Sequence, residues 1–170
     1  MLLWGFMIIK IKKWSKDSFL PKMAHKDDAG VDCYIRCFKK PIFNEESGKK
    51  ELIEVDSDSF TLKPLERIGC PLGFASAIPK GYYAAVVPRS GNALWKGLSI
   101  VNSPGTVDAG YRNEWIAIVI NLSNKDVVLE KGEKICQFII RRLVDIELEE
   151  VKNLEESERG LGGFGSTGAK

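Results

Sequence analysis

The 170-residue sequence has few of the residues that build metal centres and disulfide frameworks, with a single histidine and four cysteines. The cysteines stand at positions 33, 37, 70 and 136, so no two of them form a C-x-x-C pair. This spacing is typical neither of a zinc site nor of a disulfide framework. We therefore expect buried, reduced thiols that pack as small apolar side chains.

A strong charge of one sign is also missing, since 25 basic and 23 acidic residues leave a net charge of +2. This balance gives no general field for binding nucleic acid. The apolar residues 1–9 are far fewer than the roughly 18 of a membrane-spanning helix, and they lack a basic leader and a small-residue cleavage site. We expect a cytoplasmic protein that binds neither nucleic acid nor membrane. Initiation at Met7 would leave residues 1–6 outside the core.

Helical periodicity is absent too, because no segment keeps it over about 10 to 12 residues. Short β-favouring runs broken by Gly and Pro occupy the chain instead, among them 9–13, 31–35, 82–87, 98–101, 115–120, 135–140 and 144–148. The pattern predicts an all-β sandwich or barrel. One short helix is predicted from Ser90 to Lys96, with Ser90 as the N-cap and Gly97 just past the end.

The chain is long enough for one domain, which we place at residues 1–156. Within it, residues 44–58 combine charged and turn-forming residues and predict a solvated loop. Residues 157–170 are rich in glycine, which loses much conformational entropy when it packs into a helix or strand. We expect residues 157–170 to form a mobile C-terminal tail.

The most informative stretch is Asn102-Ser-Pro-Gly-Thr-Val-Asp-Ala-Gly-Tyr-Arg-Asn-Glu114. Pro104-Gly105 predicts a type II turn. Apolar runs on both sides predict a hairpin-like excursion that holds Asp108 and Tyr111 close together. A carboxylate and a phenol on a rigid turn can form one wall of a small-molecule site. The alternative is a plain hairpin on which both residues are surface residues.

Four further residues could belong to a binding site. Arg89 and Ser90 stand at a strand-to-helix turn, where exposed N–H groups favour an anion, although an ordinary capped turn would use the same residues. Asp32 and Gln137 lie inside β-favouring runs. A buried acid or amide needs a polar partner, a metal ion or a ligand. An exposed acid on an edge strand is the alternative for Asp32.

The Gly-rich tail carries groups that a plain linker does not need. Successive glycines let backbone N–H groups surround an anion. Arg159 can bind a phosphate with two N–H groups, Phe164 can stack on a flat ring, and Ser166 and Thr167 add hydroxyl donors. A disordered linker is the alternative.

Taken in order, these stretches resemble the five motifs of the trimeric deoxyuridine triphosphatase (dUTPase) family. They are Ala29-Gly-Val-Asp32, Pro88-Arg-Ser-Gly91, Asn102-Ser-Pro-Gly-Thr-Val-Asp-Ala-Gly-Tyr-Arg112, Gly132-Glu-Lys-Ile-Cys-Gln137 and Arg159-Gly-Leu-Gly-Gly-Phe-Gly-Ser-Thr-Gly168. The third and fifth are the most specific. The resemblance runs from about residue 9 to the C-terminus and leaves out residues 44–58.

The resemblance implies a single-domain β jelly roll that assembles as a homotrimer with active sites shared between subunits. It implies hydrolysis of dUTP to dUMP and pyrophosphate, with Mg²⁺ on the triphosphate, which limits uracil in DNA and supplies dUMP for thymidylate synthesis. Asp108 matches the carboxylate that orients and deprotonates the water for in-line attack on the α-phosphorus. Asp32 matches a residue that holds metal-bound water.

The other matched positions are substrate contacts. Tyr111 matches the aromatic residue beneath deoxyribose, and Phe164 matches the ring that stacks on uracil. The turn that recognises uracil in the family is matched by Asn102, Gly105, Thr106 and Val107. Triphosphate contacts are matched by Arg89, Ser90, Gly91 and Gln137, and by Arg159, Gly165, Ser166 and Thr167 of the tail.

Some positions depart from the family pattern, and two other functions stay open. Asn92 stands where Leu is frequent, Trp115 replaces a smaller aliphatic residue, and Glu133-Lys134 replaces Asp-Arg. One alternative is a dCTP deaminase-like enzyme of the same fold, which would lack the hairpin motif. The other is a regulatory binding protein controlled by dUTP, with residues 44–58 as its contact loop.

Overall fold

The computed structural model describes residues 6–163 and residue 166, and it shows thirteen strands and one short helix there. The elements are β1 (Lys10–Lys13), β2 (Val31–Tyr34), β3 (Phe38–Phe43), β4 (Lys50–Val55), β5 (Ser59–Leu62), β6 (Arg67–Pro71), β7 (Phe74–Ala77), β8 (Tyr82–Pro88), α1 (Ser90–Lys96), β9 (Leu98–Ile100), β10 (Gly105–Val107), β11 (Ile116–Asn121), β12 (Val127–Glu130) and β13 (Lys134–Arg142). The all-β prediction with one short helix is confirmed.

Two antiparallel sheets form the sandwich. One has the strand order β10-β8-β13-β2 and the other β4-β3-β6-β11-β9, while β1-β7 and β12-β5 form two-stranded sheets. Strand β11 shows why these sequences fold this way: Ala117, Val119 and Asn121 alternate inward and are buried. Side chains from both sheets meet in one core, which is the jelly-roll type of β-sandwich that was expected.

An aromatic cluster fills the core beside the informative hairpin. Trp115 is 2% exposed, and its ring centroid lies 4.9 Å from that of Phe74 and 5.1 Å from that of Phe138. Phe138 belongs to the sheet of β8 and Phe74 to β7. The large residue at position 115 therefore joins different sheets through aromatic packing, which stabilises more than burial of the same area alone.

The charged segment at residues 44–58 is not a simple solvated loop, so this prediction was wrong. Its middle forms β4, which pairs with β3 along six residues from Phe38 opposite Val55 to Phe43 opposite Lys50. The apolar residues inside Glu51-Leu-Ile-Glu-Val55 give it strand propensity. Only the turn between the two strands, where Gly48 has φ +64°, behaves as the composition suggested.

The strand predicted at residues 144–148 is also wrong. Residues 144–148 form no strand, because β13 ends at Arg142. Their apolar side chains are largely exposed, with Val144 at 74%, Ile146 at 78% and Leu148 at 90%. An alternating segment needs a neighbouring strand, and the described part of this chain supplies none there. Strand β1 is present as expected but exposed along its length.

Helix α1 has the predicted bounds with a different N-cap. Arg89, with φ −87° and ψ 136°, is the N-cap and makes no side-chain capping bond, so Ser90 is the first helical residue. Gly97 ends the helix in the left-handed region, with φ 66°, as predicted. Among the described residues, no helix is long and apolar enough to cross a membrane, and α1 has only seven residues.

The four cysteines are free and buried, as the spacing predicted. Burial raises the pKa of the Cys33 and Cys70 thiols well above the usual value. Burial also raises the pKa of Cys37 to about 11, although the positive charge of Arg36 opposes the rise. Because the thiolate is the reactive form, these thiols are inert in the native protein near neutral pH.

We therefore expect the native protein at neutral pH to react with almost none of its thiols when an aromatic disulfide reagent is added. After unfolding in guanidinium, all four should react within the mixing time. The measurement is the absorbance of the released thiolate against time. Rapid reaction of even one thiol in the native protein would contradict the assigned burial.

Candidate active site

Asp108 and Tyr111 lie in the excursion that joins β9 to β11. These two strands pair antiparallel, with Val119 opposite Ile100. Between them, β10 pairs antiparallel with β8 of the other sheet. The excursion is therefore attached to both sheets, and it has the hairpin-like course that the sequence predicted.

The turn before β10 differs from the predicted type II turn. The Ser103–Pro104 peptide is cis, and Gly105 is extended because it begins β10 opposite Val86. A Cβ atom on Gly105 would lie 3.3 Å from Asn102 Nδ2 and 3.5 Å from Val86 Cβ. Close packing, and not a positive φ, therefore explains glycine at this position.

The excursion borders a cavity of about 240 Å³, which we name the hairpin cavity. Asp108 and Tyr111 lie on its wall with Thr106, Val107 and Trp115. The backbone N–H of Tyr111 donates to the carbonyl oxygen of Asp108 at 3.1 Å, which closes the turn between them. The cavity thus combines one carboxylate and one phenol with apolar walls, as a small-molecule site requires.

Side chains fix the rest of the turn by binding its carbonyl groups. The phenol O–H of Tyr111 donates to the carbonyl oxygen of Glu114 at 3.2 Å. Nη1 of Arg112 donates to the carbonyl oxygens of Ala109 at 2.6 Å and Tyr111 at 2.9 Å. Asp108 and Tyr111 are therefore held on a turn whose shape is set by its own hydrogen bonds.

A second cavity, of about 360 Å³, lies at the far end of β8, and we name it the strand-end cavity. Strand pairing explains why its residues meet: Gln137 of β13 lies opposite Asp32 of β2 on one side and Val87 of β8 on the other. Arg89 directly follows β8. The predicted residues that border this cavity are Asp32, Arg89, Ser90, Gly91 and Gln137.

Asp32 is buried, at 7% exposure, and bound by two cations. Nε of Arg89 donates to its Oδ1 at 2.8 Å, and Nζ of Lys134 lies 2.8 Å from its Oδ2. Burial raises the pKa of Asp32, but the hydrogen bonds from Lys134 and Arg89 outweigh burial and the pKa is lowered. Asp32 is therefore ionised at neutral pH, and its negative charge holds the cations of Arg89 and Lys134 beside the cavity.

Lys134 is the site residue that sequence reasoning missed. It stands three residues before Gln137, and successive strand residues point to opposite faces. The register with β2 shifts between Lys134 and Cys136, which indicates a bulge. This irregularity allows both Lys134 and Gln137 to lie near Asp32. The only sequence signal was Glu133-Lys134 in place of the family's Asp-Arg.

Two close contacts explain other residues around the strand-end cavity. Nδ2 of Asn92 donates to the carbonyl oxygens of Lys134 at 3.0 Å and Ile135 at 3.2 Å, which ties α1 to β13. This contact explains an amide where the family often has Leu. A Cβ atom on Gly30 would lie 2.0 Å from Gln137 Oε1, so any other residue there would displace the amide of Gln137.

The tail is described only in part. Nε of Arg159 donates to the carbonyl oxygen of Gly162 at 2.9 Å, and the N–H of Ser166 donates to that of Gly163 at 3.0 Å. Neither Arg159 nor Ser166 borders the two cavities. The predicted contacts Phe164, Gly165 and Thr167 lie outside the described residues.

Asp108 and Arg89 lie near opposite ends of β8. Asp108 follows Val107, which pairs with Ala84 near the start of β8, whereas Arg89 follows its last residue. At about 3.3 Å per strand residue, Asp108 and Arg89 are roughly 20 Å apart along the sheet. This is far more than the distance between neighbouring phosphates of one nucleotide. Within one chain, Asp108 borders the hairpin cavity and Arg89 borders the strand-end cavity.

The donor set fits a magnesium ion that is carried by a substrate. Among the described residues, no cluster of three or more His, Cys, Asp or Glu side chains could hold a metal ion. Both oxygens of Asp32 already bind cations. Mg²⁺ keeps several waters and commonly takes one or two carboxylates plus substrate phosphates. Asp32 could hold such an ion only through water, while phosphate oxygens supply the direct ligands.

Comparison with known proteins gives consistent matches. A family model described as dUTPase matches residues 55–168. The deoxyuridine 5'-triphosphate nucleotidohydrolase of Hydrogenobaculum sp. (strain Y04AAS1) is 40% identical over 164 residues, 96% of this chain and 100% of the relative. That of Fusobacterium nucleatum is 50% identical over 111 residues, 65% of this chain and 76% of the relative. A solved mutant of Staphylococcus bacteriophage 80alpha dUTPase with dUpNHpp has a TM-score of 0.74 at 26% identity, covering 95% of this chain and 99% of that one.

The fold and these matches first define a class, the all-β hydrolases that act on nucleotides. Both the family model and the Hydrogenobaculum relative extend over most of the chain. The chain belongs to the dUTPase family.

Removing the charge of Asp32 should destabilise the fold in a pH-dependent way. We expect Asp32→Asn to lower the free energy of unfolding by about 1–3 kcal/mol at neutral pH, because two charged donors lose their ionised acceptor. A lowered native pKa stabilises the fold above the ordinary aspartate pKa of about 3.9. The difference from wild type should therefore be full above about pH 5 and shrink as the pH falls through the lowered native pKa.

Urea unfolding at several pH values measures this difference. Asp58→Asn is the matched control, since Asp58 pairs with Lys131 while its side chain is 95% exposed. Exposed pairs contribute little, so the control should change stability by less than about 1 kcal/mol at any pH. An Asp32→Asn effect that persists unchanged below pH 3 would show that the ion pairs are not its cause.

Proposed function

We propose that the protein hydrolyses dUTP to dUMP and pyrophosphate. The observation that carries this proposal is the excursion after β10, which holds Asp108 and Tyr111 on the wall of one small cavity. A carboxylate beside an aromatic platform suits a reaction in which water is deprotonated next to a bound nucleoside. Membership of the dUTPase family supports the same substrate.

Asp108 acts in this proposal as the general base. It accepts a proton from a water molecule that attacks the α-phosphorus in line with the departing pyrophosphate. The Mg²⁺ ion that accompanies the triphosphate neutralises part of its negative charge. Asp32 keeps Arg89 and Lys134 in place around that charge, and it would hold such an ion only through water.

Selection of the nucleoside is assigned to the hairpin. The ring of Tyr111 lies beneath deoxyribose and leaves no room for a 2′-hydroxyl group. Asn102 and the backbone of β10 bind the uracil edge. The tight turn at Asn102 and Gly105 is proposed to leave no room for the methyl group of thymine. Thymine is therefore excluded by size.

Binding of the triphosphate is assigned to the strand-end cavity and the tail. Arg89 and Gln137 border that cavity with Ser90 and Gly91, and the guanidinium of Arg89 supplies a positive charge there. We assign closure over the terminal phosphate to the tail at residues 157–170, through Arg159, Phe164, Gly165, Ser166 and Thr167. Closure of such a segment would exclude water from the reacting phosphate.

The active site is then shared between copies of the chain, in a homotrimer. Asp108 and Arg89 are roughly 20 Å apart along one sheet at about 3.3 Å per residue, so one dUTP reaches both only if they come from different copies. The exposed segment at 144–148 gives independent support, because its alternating apolar side chains need a strand that another copy can supply.

The physiological role follows from the reaction. Removal of dUTP limits incorporation of uracil into DNA, and the product dUMP supplies thymidylate synthesis. Family membership disfavours the dCTP deaminase alternative. A regulatory role controlled by dUTP and the cytoplasmic location stay predictions.

The reaction is tested by measuring pyrophosphate release from dUTP, dCTP, dTTP and UTP with and without Mg²⁺. We expect Mg²⁺-dependent turnover of dUTP alone, and a loss of about 10²- to 10⁴-fold in kcat for Asp108→Asn, because a general base contributes this much. Full activity of Asp108→Asn would contradict the role of Asp108. Ammonia release from dCTP would move the protein to the deaminase alternative.

The shared site is tested by mixing two inactive variants. Asp108→Asn and Arg89→Ala should each be inactive alone, because each lacks one half of every site. Co-refolded together, they should regain part of the wild-type activity, since some sites then combine an intact Asp108 with an intact Arg89 from different chains. Light scattering should give three times the chain mass. A mixture that stays inactive, or a monomer that hydrolyses dUTP, would contradict the shared site.

A further inference from the structure

A buried carboxylate that the proposed reaction does not use lies at the end of the catalytic turn. Glu114 is 3% exposed. Its carboxylate accepts hydrogen bonds from Nε of Arg36 at 2.6 Å, Nη2 of Arg36 at 2.9 Å and the backbone N–H of Gly73 at 3.0 Å. Two parallel bonds from a guanidinium fix both distance and orientation, so this side chain has a single, well-defined position.

The backbone of the same residue holds Tyr111. The phenol O–H of Tyr111 donates to the carbonyl oxygen of Glu114 at 3.2 Å. On the following residue, the N–H of Trp115 donates to the carbonyl oxygen of Phe74 at 3.0 Å. The acceptor of the phenol therefore lies between a side chain anchored on Arg36 and a backbone anchored on β7.

Arg36 is suited to this anchoring. It lies just beyond β2, and its own N–H donates to the carbonyl oxygen of Pro71 at 2.8 Å. The hydrogen bond with Glu114 raises the pKa of Arg36, so the guanidinium stays charged. A second carboxylate, that of Glu54 on β4, lies 3.7 Å from Nη1 of Arg36 but makes no contact with the turn.

We infer that the Arg36–Glu114 ion pair is a positioning device for the ring of Tyr111 and thereby sets discrimination between deoxyribose and ribose. The inference rests on the proposed function, in which that ring excludes a 2′-hydroxyl group. A ring can exclude one extra oxygen only if its height above the sugar is fixed. The phenol bond to Glu114 fixes this height, and the ion pair fixes Glu114.

The test compares kcat/KM for dUTP and for UTP in the full-length wild type and in three variants. Glu114→Gln removes the charge at nearly constant shape. Glu54→Gln is the matched control, because it removes a carboxylate from the same arginine without touching the turn. Tyr111→Phe keeps the ring and removes the phenol bond. Urea unfolding of each variant records stability separately.

We expect the ratio of kcat/KM for dUTP to that for UTP to fall about tenfold in Glu114→Gln and in Tyr111→Phe, and to stay unchanged in Glu54→Gln. The fall comes mainly from better use of UTP, which a loss of stability alone cannot produce. If Glu114→Gln does not fold, Arg36→Lys gives the same comparison, since it keeps the charge and loses the forked contact.

Two results would overturn the inference in distinguishable ways. Equal losses for dUTP and UTP in Glu114→Gln, with an unchanged ratio and a selective wild type, would leave the ion pair with a structural role only. A wild type that hydrolyses dUTP and UTP equally, or neither, would overturn the role proposed for Tyr111 and this inference with it.

Discussion

Strand β8 pairs with β10 on one side and with β13 on the other, and this pairing decides where the candidate site residues of residues 1–156 lie. Ala84 near the start of β8 fixes β10, and with it the turn that carries Asp108. Pro88 at its end lies opposite Cys136, next to Gln137, and Arg89 follows. Strand β8 thus separates Asp108 from Arg89 by about its own length. This separation is the reason for the proposal that different copies of the chain supply the two residues to one small substrate.

Local sequence signals predicted those parts of the fold that depend on neighbours in the chain. Short β-favouring runs, the end of α1 at Gly97 and the hairpin course around Asp108 all follow from alternation and from Gly and Pro. That Asp32 lies beside a polar residue such as Gln137 could also be predicted, because an acid inside a β-favouring run needs a polar partner. Which partner it has depends on strand order, which alternation does not contain.

The predictions that failed depend on contacts between distant residues. Strand β4 was not predicted because its charged neighbours dominate the composition of residues 44–58. Its pairing with β3 also depends on the turn at Gly48. Lys134 was missed because a register shift brings it near Asp32 against the ordinary alternation of a strand. The prediction of a type II turn was wrong because Gly105 is part of β10 and pairs with Val86. In each case tertiary pairing overrides a correct local preference.

The error at residues 144–148 has a different physical origin. The alternation is present in the sequence, yet Val144, Ile146 and Leu148 are exposed after β13 has ended. Among the described residues this pattern has no partner strand, which supports the proposal that another copy of the chain supplies one. The separation of Asp108 from Arg89 leads to the same conclusion from the site. The proposed sharing of the site between copies of the chain would explain both the segment at 144–148 and the separation of Asp108 from Arg89.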